Sequence, residues 1–538
     1  MTEPGTSVGS ASVRKIASAA GVVGLATLLS RVLGFVRDMA IAWLFGAGMV
    51  ADAFFVAFRI PSTLRELLGE GALSAAFIPT FARTTARDGQ GAAWALASRV
   101  LGTLAVVLAV VSVAGVLLAP WIVQVLAPGF AAVPGKLALT ATLLRIMFPY
   151  IFLVGLAALF MAILNSLGHF LAPALSPTVL NLVMIASAFL VAPVVSQPVI
   201  PIAIAVVVGG IGQLAIQVPA AVACGWRPAM QVAPRDPAVR EIGRLMLPGV
   251  AGLAVTQINV FVGTLLASWL AEGSVAAMTY AFRLVQFPIG VVGVAIATGA
   301  LPVMATAVAR DAMGEMKRAL RDSLRLAIFL AVPSMVGLIS FAVPVVAVLF
   351  ERGAFTRSVT LLTAAILCAY AVGLAFYIGN RILAPAFYAM RDTWTPVSTG
   401  MVAVGVNIGA SLLLMGPLGA VGLALATAVA SASNCLQLVL RLRRRLGLLE
   451  GRVILRAAAR VAVACLPMAG WGAATHLWWS PMGFPSLVGR VAVLVGEMGV
   501  AVGLFLGAAA VLRCDELAWA QDLLRRRMRR SSGRPVRD

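Results

Sequence analysis

The chain is poor in the polar residues from which soluble proteins build their surfaces. Only 11% of its 538 residues are charged, whereas an ordinary globular protein has roughly 25%. Hydrophobic residues make up 61%, and so few polar side chains could not cover a soluble protein. The composition therefore excludes a soluble enzyme and a disordered chain, and it predicts an all-α protein that crosses a membrane many times.

Histidine and cysteine are also scarce. The chain has two histidines and five cysteines, no two of which form a C-x-x-C pair, so neither a metal site nor Ser-His-Asp chemistry is expected. The only Gly-Lys pair, Gly135-Lys136, lacks the upstream glycine and the following Ser or Thr of a phosphate-binding loop. We expect no enzyme activity, no catalytic residue, no metal and no cofactor. Without a nucleotide-binding motif, any transport by this chain is expected to be driven by an ion gradient, by the membrane potential or by the substrate gradient.

Long apolar runs recur along the whole chain. A helix needs about 20 mostly apolar residues to cross the hydrocarbon layer, and we find about fourteen such runs. Lipid does not tolerate open sheet edges, and period-2 alternation is absent, so helices are expected throughout. The predicted spans are 17–45, 51–81, 97–119, 137–164, 171–193, 200–224, 245–270, 274–308, 323–349, 358–383, 396–416, 418–440, 456–478 and 486–512.

The positive charges fix the expected orientation. Lys plus Arg is 41 and Asp plus Glu is 20, which gives a net charge of +21. If the N-terminus is cytoplasmic, the inward connections hold 30 Lys and Arg, and the outward ones hold three, Lys136, Arg352 and Arg357. This bias predicts that both termini are cytoplasmic. It also argues against nucleic acid as the partner of these charges.

Short strings repeat at an interval of about 225 residues. GVVGLA at 21–26 returns as GVAGLA at 249–254, and AFR at 57–59 returns at 281–283. A parallel repeat predicts two pseudo-symmetric six-helix lobes related by an axis along the membrane normal, followed by two C-terminal helices. The predicted divisions are an N-lobe at 1–224, a cytoplasmic linker at 225–244, a C-lobe at 245–440, the last two helices with their basic loop at 441–512, and a basic cytoplasmic tail at 513–538.

Charged residues crowd the first two predicted spans. An arginine at the centre of a spanning helix costs about 2.5–3.5 kcal/mol on insertion scales, so several of them are expected to face water or one another. Gly34 and Pro61 can bend these helices, so spacing alone does not select the arginines that converge. The cluster comprises Arg31, Arg37, Asp38, Asp52, Arg59, Arg65, Glu66 and Glu70.

Arg283 lies in the second half of the chain where Arg59 lies in the first. Arginines from both halves around a wet cavity favour an anionic substrate, most naturally phosphate or diphosphate, which guanidinium binds through two hydrogen bonds. The alternative is that intramembrane Arg–Asp and Arg–Glu pairs only lock the helices together.

Several of these segments resemble the lipid II flippase family, MurJ or MviN, of the multidrug/oligosaccharidyl-lipid/polysaccharide exporter superfamily. The matching strings are SRVLGFVRD at 30–38, FGAG at 45–48, ADAFFVAFRIPSTLRELLGEGALSAAFIP at 51–79, LNSLGHFLAPALSPTVLN at 164–181, RLVQFPIGVVGVAIATGALP at 283–302 and PAFYAMRDTWTP at 385–396. The resemblance implies alternating access around a cationic cavity in the bacterial cytoplasmic membrane. It implies that lipid II, an undecaprenyl-diphosphate-linked disaccharide peptide, is moved to the outer leaflet for cell wall synthesis.

By this resemblance, five residues are expected to bind substrate: Arg31, Arg37, Asp52, Arg65 and Arg283. Asp38, Arg59 and Glu70 are expected to support them or to take part in gating. The family often has an acid before the second-half arginine, but here that position is Phe282. The predicted seventh helix has no acid, so no sodium site is expected.

Other interpretations stay open at this point. The chain could flip another polyprenyl-diphosphate glycan of the O-antigen or capsule type, or it could be a drug antiporter of the same superfamily. It could also be a membrane scaffold that transports nothing. Membrane lipids are expected partners in every case, and the resemblance also allows other cell-wall synthesis proteins as partners.

Overall fold

A computed structural model describes residues 7–67, 73–227, 229–478 and 486–519. Its regular elements in these ranges are helices, and the chain divides into two compact units. The first unit is Met1–Ala276 with Arg352–Phe355, and the second is Ala277–Glu351 with Thr356–Asp538. The predicted lobe boundaries at 224 and 245 stay a prediction.

The first unit contains eight α-helices in its described residues. A π-helical turn at Ser187–Val191 continues the sixth of them, and a short 3-10 helix, Pro128–Ala132, follows the third. The α-helices are α1 (Ser7–Phe45), α2 (Met49–Leu67), α3 (Leu73–Leu126), α4 (Lys136–Met147), α5 (Tyr150–Ser166), α6 (Leu171–Ala186), α7 (Val199–Ala223) and α8 (Pro237–Ser268).

The second unit contains the remaining ten α-helices of the described residues, although α9 begins three residues before the division. A π-helical turn at Ile289–Gly293 joins the first two. They are α9 (Ser274–Pro288), α10 (Val294–Ala309), α11 (Met313–Ser340), α12 (Ala342–Phe350), α13 (Arg357–Val372), α14 (Leu374–Ala389), α15 (Trp394–Leu446), α16 (Gly451–Ala464), α17 (Leu466–Trp478) and α18 (Leu487–Val511).

Two of these helices are too long to cross a bilayer once. α3 has 54 residues and α15 has 53, which at 1.5 Å per residue is about 80 Å, more than twice the hydrocarbon thickness. Each breaks at a glycine with positive φ, 83° at Gly89 and 55° at Gly419, a conformation that favours glycine. The break in α15 falls at the second residue of the predicted span 418–440, and the break in α3 lies between the predicted spans 51–81 and 97–119.

The all-helical, multi-pass fold is confirmed. In the described part of the chain, nine helical segments are long and apolar enough to cross a membrane, or ten if the bent pair α13 and α14 forms one span. The two broken helices count once each in that number, although α15 covers two predicted spans and α3 covers one predicted span and the end of another. The total of fourteen stays a prediction.

Candidate functional site

Arg37 and Asp38, on α1, form a buried ion pair. The Arg37 guanidinium donates to Asp38 Oδ1 from Nη2 at 2.7 Å and from Nε at 3.0 Å. From the other side, Arg37 Nη1 donates to Asn181 Oδ1 on α6 at 3.2 Å, and Asn181 Nδ2 donates to the Ser30 carbonyl at 3.1 Å. Arg37 is 8% exposed, so the pair lowers the burial penalty and the amide fixes the direction of the guanidinium.

Two other predicted arginines of the first unit are more accessible. Arg31 is exposed, six residues before Arg37 on α1, and Arg59 is half-buried on α2. The structure shows no hydrogen bond or ion pair between Arg31 and another described residue. Arg31 thus differs from Arg37, which is held by protein groups.

Arg65 stands at the end of α2, in a polar cluster with α8. Its Nη2 lies 3.7 Å from Glu66 Oε1. Gln257 on α8 donates to Glu66 Oε2 at 3.1 Å and its Oε1 lies 3.4 Å from the Thr63 hydroxyl. Arg65 is half-buried, and this cluster limits the positions that its guanidinium can occupy. Glu70, predicted to support these residues, lies outside the described residues.

Asp52 occupies a different environment from the arginines. It is 1% exposed in the first turn of α2, and its Oδ2 accepts from Lys136 Nζ at 2.8 Å. The same oxygen accepts from the Gly273 amide at 2.8 Å, and Oδ1 accepts from the Ala276 amide at 2.9 Å. Both carboxylate oxygens therefore accept hydrogen bonds from amides at the start of α9. These amides have no partner within the helix, and the negative charge of Asp52 interacts favourably with the positive end of the helix dipole.

The start of α2 is in turn capped by a residue that lies next to α9. Glu272, just before α9, accepts a hydrogen bond from the Met49 amide through Oε1 at 2.7 Å. The buried ammonium of Lys136 also lies 4.1 Å from the centre of the Phe130 ring. We call Asp52, Lys136, Glu272 and the amides they bind the outer junction, because the charge distribution predicts that these connections face outward.

Arg283 lies on α9, in the second unit. It is half-buried and its Nη1 donates to Gln286 Oε1 at 3.3 Å, one turn later on the same helix. Phe282, at the position where the family often has an acid, packs against Tyr370 with ring centres 5.1 Å apart. The meeting of Arg283 with the arginines of the first unit stays a prediction.

The sequence predicts no specific role for three of these residues. Lys136 is one of the three outward charges, Asn181 ends one of the family-like strings, and Gln257 is a polar residue in the predicted seventh helix. Their partners lie 84, 144 and 191 residues away, and no local spacing encodes such contacts. The only sequence feature that could have pointed to these contacts is a side-chain amide or a lysine within or next to an apolar run.

A family model described as lipid II flippase MurJ matches residues 41–490. A probable lipid II flippase MurJ from Vibrio cholerae is 36% identical over 503 residues, which cover 91% of this chain and 95% of the relative. The chain belongs to the MurJ family. The lipid II flippase MurJ of Burkholderia cenocepacia is likewise 36% identical, over 90% of this chain and 95% of its own length.

Solved structures confirm the MurJ-type fold. A lipid II flippase MurJ in an inward closed conformation matches with a TM-score of 0.77 and 24% identity, over 92% of this chain and 99% of that one. An inward-facing multidrug transporter of the MATE family matches with a TM-score of 0.66 and 16% identity, over 78% and 96% of the two chains. At these identities the two structures support the fold alone.

Proposed function

We propose that this chain moves lipid II from the inner to the outer leaflet of the bacterial cytoplasmic membrane. The observation that carries the proposal is membership of the MurJ family over nearly the whole chain. The family match favours lipid II over the other polyprenyl-linked glycans and over drug export. The chain is a transporter, and it makes and breaks no covalent bond in its substrate.

The diphosphate is the group that the arginines are suited to bind. Arg31 is exposed, and Arg65 and Arg283 are half-buried, so their guanidiniums can reach a ligand without first leaving a closed core. Arg37 contributes after Asp38 and Asn181 have fixed its orientation. Guanidinium pairs with phosphate through two parallel hydrogen bonds, which suits a diphosphate that must be held and then released.

Asp52 acts in conformational change rather than in substrate contact. Its two oxygens are used by Lys136 and by the amides of Gly273 and Ala276. Alternating access requires the outward side to close and open, and the outer junction offers a set of hydrogen bonds that can be broken and remade. Both termini lie in the cytoplasm in this proposal, and other cell-wall synthesis proteins are partners that receive the substrate.

Complementation tests this function. A strain depleted of its own lipid II flippase is supplied with the wild-type chain or with Arg31→Ala, Arg37→Ala, Arg65→Ala or Arg283→Ala, and lipid II on the outer surface is quantified. We expect wild-type growth and at least a tenfold loss of surface lipid II in the variants. Arg87→Ala is the matched control, because its side chain is 84% exposed.

The outcomes separate the alternatives. If the wild type does not restore growth although it reaches the membrane, lipid II is the wrong substrate. If all four arginine variants perform as well as Arg87→Ala, the arginines only lock helices and the proposed binding role is wrong.

A further inference from the structure

A row of arginines follows one side of α16. Arg452, Arg456 and Arg460 are spaced by four residues, which places them on one helical stripe with about 6 Å between successive positions along the axis. All three side chains are exposed. This α16 stripe lies on Gly451–Thr475, one of the segments long and apolar enough to cross the membrane.

The same side of α16 also presents apolar side chains. Leu455 is 71% exposed and Val463 is 50% exposed, each three residues after an arginine of the stripe. The adjoining side is buried through Ala457, Val461 and Ala464. A face that combines guanidiniums with exposed aliphatic groups matches the boundary between lipid headgroups and acyl chains.

The acids nearby in sequence are used elsewhere. Between 441 and 519 the chain has four acids, Glu450, Glu497, Asp515 and Glu516. Glu450 Oε2 lies 2.6 Å from Arg321 Nη1. Arg325 holds the next pair: its Nη2 lies 2.7 Å from Asp515 Oδ2, and its Nε lies 2.6 Å from Glu516 Oε1.

The fourth acid, Glu497, is far along α18 from the end near the stripe. It precedes Val511, the last residue of α18, by 14 residues, which is about 20 Å along the helix axis. Burial raises the pKa of the Cys514 thiol, and the positive charge of the nearby Arg460 opposes that rise. Arg460 therefore lies near Cys514, just after the C-terminal end of α18, where Arg513 is also exposed. In the described part of the chain no ion pair joins an acid to any of the three arginines.

We propose that Arg452, Arg456 and Arg460 bind the phosphate of an anionic phospholipid in the cytoplasmic leaflet, with Leu455 and Val463 against its acyl chains. Three exposed guanidiniums that form no ion pair with any described residue, on a helix apolar enough to cross the membrane, can bind an anion from outside the protein. The exposed aliphatic groups between them favour a lipid over a soluble acidic protein or a nucleic acid. The charge distribution predicts that this end of α16 is cytoplasmic, and anionic lipids create a negative potential on that side.

The test compares two triple variants of the full chain. R452Q/R456Q/R460Q removes the stripe, and R318Q/R443Q/R444Q removes three exposed arginines that do not share one helix face. Each purified protein is placed in nanodiscs of phosphatidylcholine with increasing phosphatidylglycerol, and the increase in its thermal unfolding temperature is used to follow binding. We expect no saturation for the stripe variant even in pure phosphatidylglycerol, because each arginine contributes about 1 kcal/mol, whereas the half-saturating fraction of phosphatidylglycerol should rise less than threefold for the control.

Three results would overturn the proposal. An equal loss in both triple variants would mean general attraction to a cationic surface, and no loss in the stripe variant would mean that these arginines are only solvated. Equal stabilisation of the wild type by pure phosphatidylcholine would exclude selection for an anion. If the glutamine variant does not fold, R452K/R456K/R460K replaces it, because lysine keeps the positive charge. We then expect the half-saturating fraction of phosphatidylglycerol to rise about tenfold, because lysine cannot bind phosphate in a bidentate manner.

Discussion

Single charged residues inside this chain fall into two groups with different surroundings. Arg37, Asp52 and Lys136 are almost fully buried, and each has a named ion-pair or hydrogen-bond partner. Arg31 is exposed, and Arg65 and Arg283 are half-buried. The first group is enclosed by the protein, whereas the second keeps part of its contact with the surroundings, so that binding an anion there costs less desolvation.

Arg37→Lys separates charge from geometry at the best-defined arginine. Lysine keeps the positive charge but cannot donate to Asp38 and Asn181 at once in the planar arrangement of guanidinium. We expect surface lipid II to fall about tenfold in the complementation assay while the amount of protein in the membrane stays unchanged. Wild-type transport by Arg37→Lys would show that only the charge at this position matters.

Lys136→Met removes one partner of the buried pair at the outer junction. We expect the free energy of unfolding to fall by about 3–5 kcal/mol, because Asp52 stays buried without its cation. The measurement is the thermal unfolding midpoint of the purified protein in detergent. The double variant Asp52→Asn/Lys136→Met is expected to recover most of this stability, since no charge is then buried, and a double variant less stable than Lys136→Met would contradict the argument.

Elements of the first unit are held together by close backbone approach as well as by apolar packing. The segment after α7 runs along α3, where the Gln231 amide donates to the Ser98 carbonyl at 3.1 Å and the Ala233 amide donates to Thr103 Oγ1 at 3.1 Å. Gly102 leaves the space for this contact. The predicted cytoplasmic linker is thus fixed to a helix over part of its length.

Gly102→Val tests that attachment. A Cβ at this position would stand 2.4 Å from the Gln231 carbonyl oxygen, so the linker would have to move away. We expect the Gln231 amide to exchange with deuterium at least tenfold faster. Gly243→Ala on α8 is the control, because its added Cβ meets no atom within 4 Å, and equal exchange in both variants would refute the close-approach argument.

Asp236, at the N-terminus of α8, gives the structure a pH-dependent contribution. Burial alone would raise the pKa of its carboxyl, but hydrogen bonds from Arg99 and from the Val239 and Ala238 amides lower the pKa below 3.8 overall. The folded protein therefore binds the proton less readily than the unfolded chain does. The stabilisation is complete above about pH 4 and is lost as the pH falls through the folded pKa.

Asp236→Asn isolates this contribution, because asparagine still caps a helix but cannot pair with Arg99 as an anion. We expect the variant to unfold at a lower temperature than the wild type at pH 7, by about 1 kcal/mol of unfolding free energy. The two midpoints should converge as the pH falls below the folded pKa. A difference that stayed constant from pH 7 to pH 3 would show that the charge of Asp236 is not its source.

At the scale of the whole molecule, the membrane potential favours outward movement of an anionic substrate. The potential is negative inside, so moving an anionic headgroup outward is favoured by about 2.3 kcal/mol per charge per 100 mV. We expect transport of labelled lipid II in proteoliposomes to slow roughly tenfold or more when valinomycin and potassium abolish the potential. Equal rates with and without the potential would exclude this driving force.

The described chain also shows how far sequence reasoning extends. Apolar runs predicted the helices, since a chain with 61% hydrophobic residues and few charges can satisfy its backbone in lipid only internally. The motifs around Arg31, Arg37 and Arg283 predicted the family. The same runs ended near both breaks but did not single out Gly89 and Gly419, because glycine is common throughout spanning helices.

Composition and local pattern thus determined the class of this protein, its many helices and its family, because hydrophobicity and motif spacing act over one or two helical turns. Tertiary structure decided which charge meets which partner. Only folding brings Lys136 to Asp52, Asn181 to Arg37 and Gln257 to Glu66. These contacts join residues more than 80 positions apart, and a buried charge takes whatever partner the packed helices place beside it.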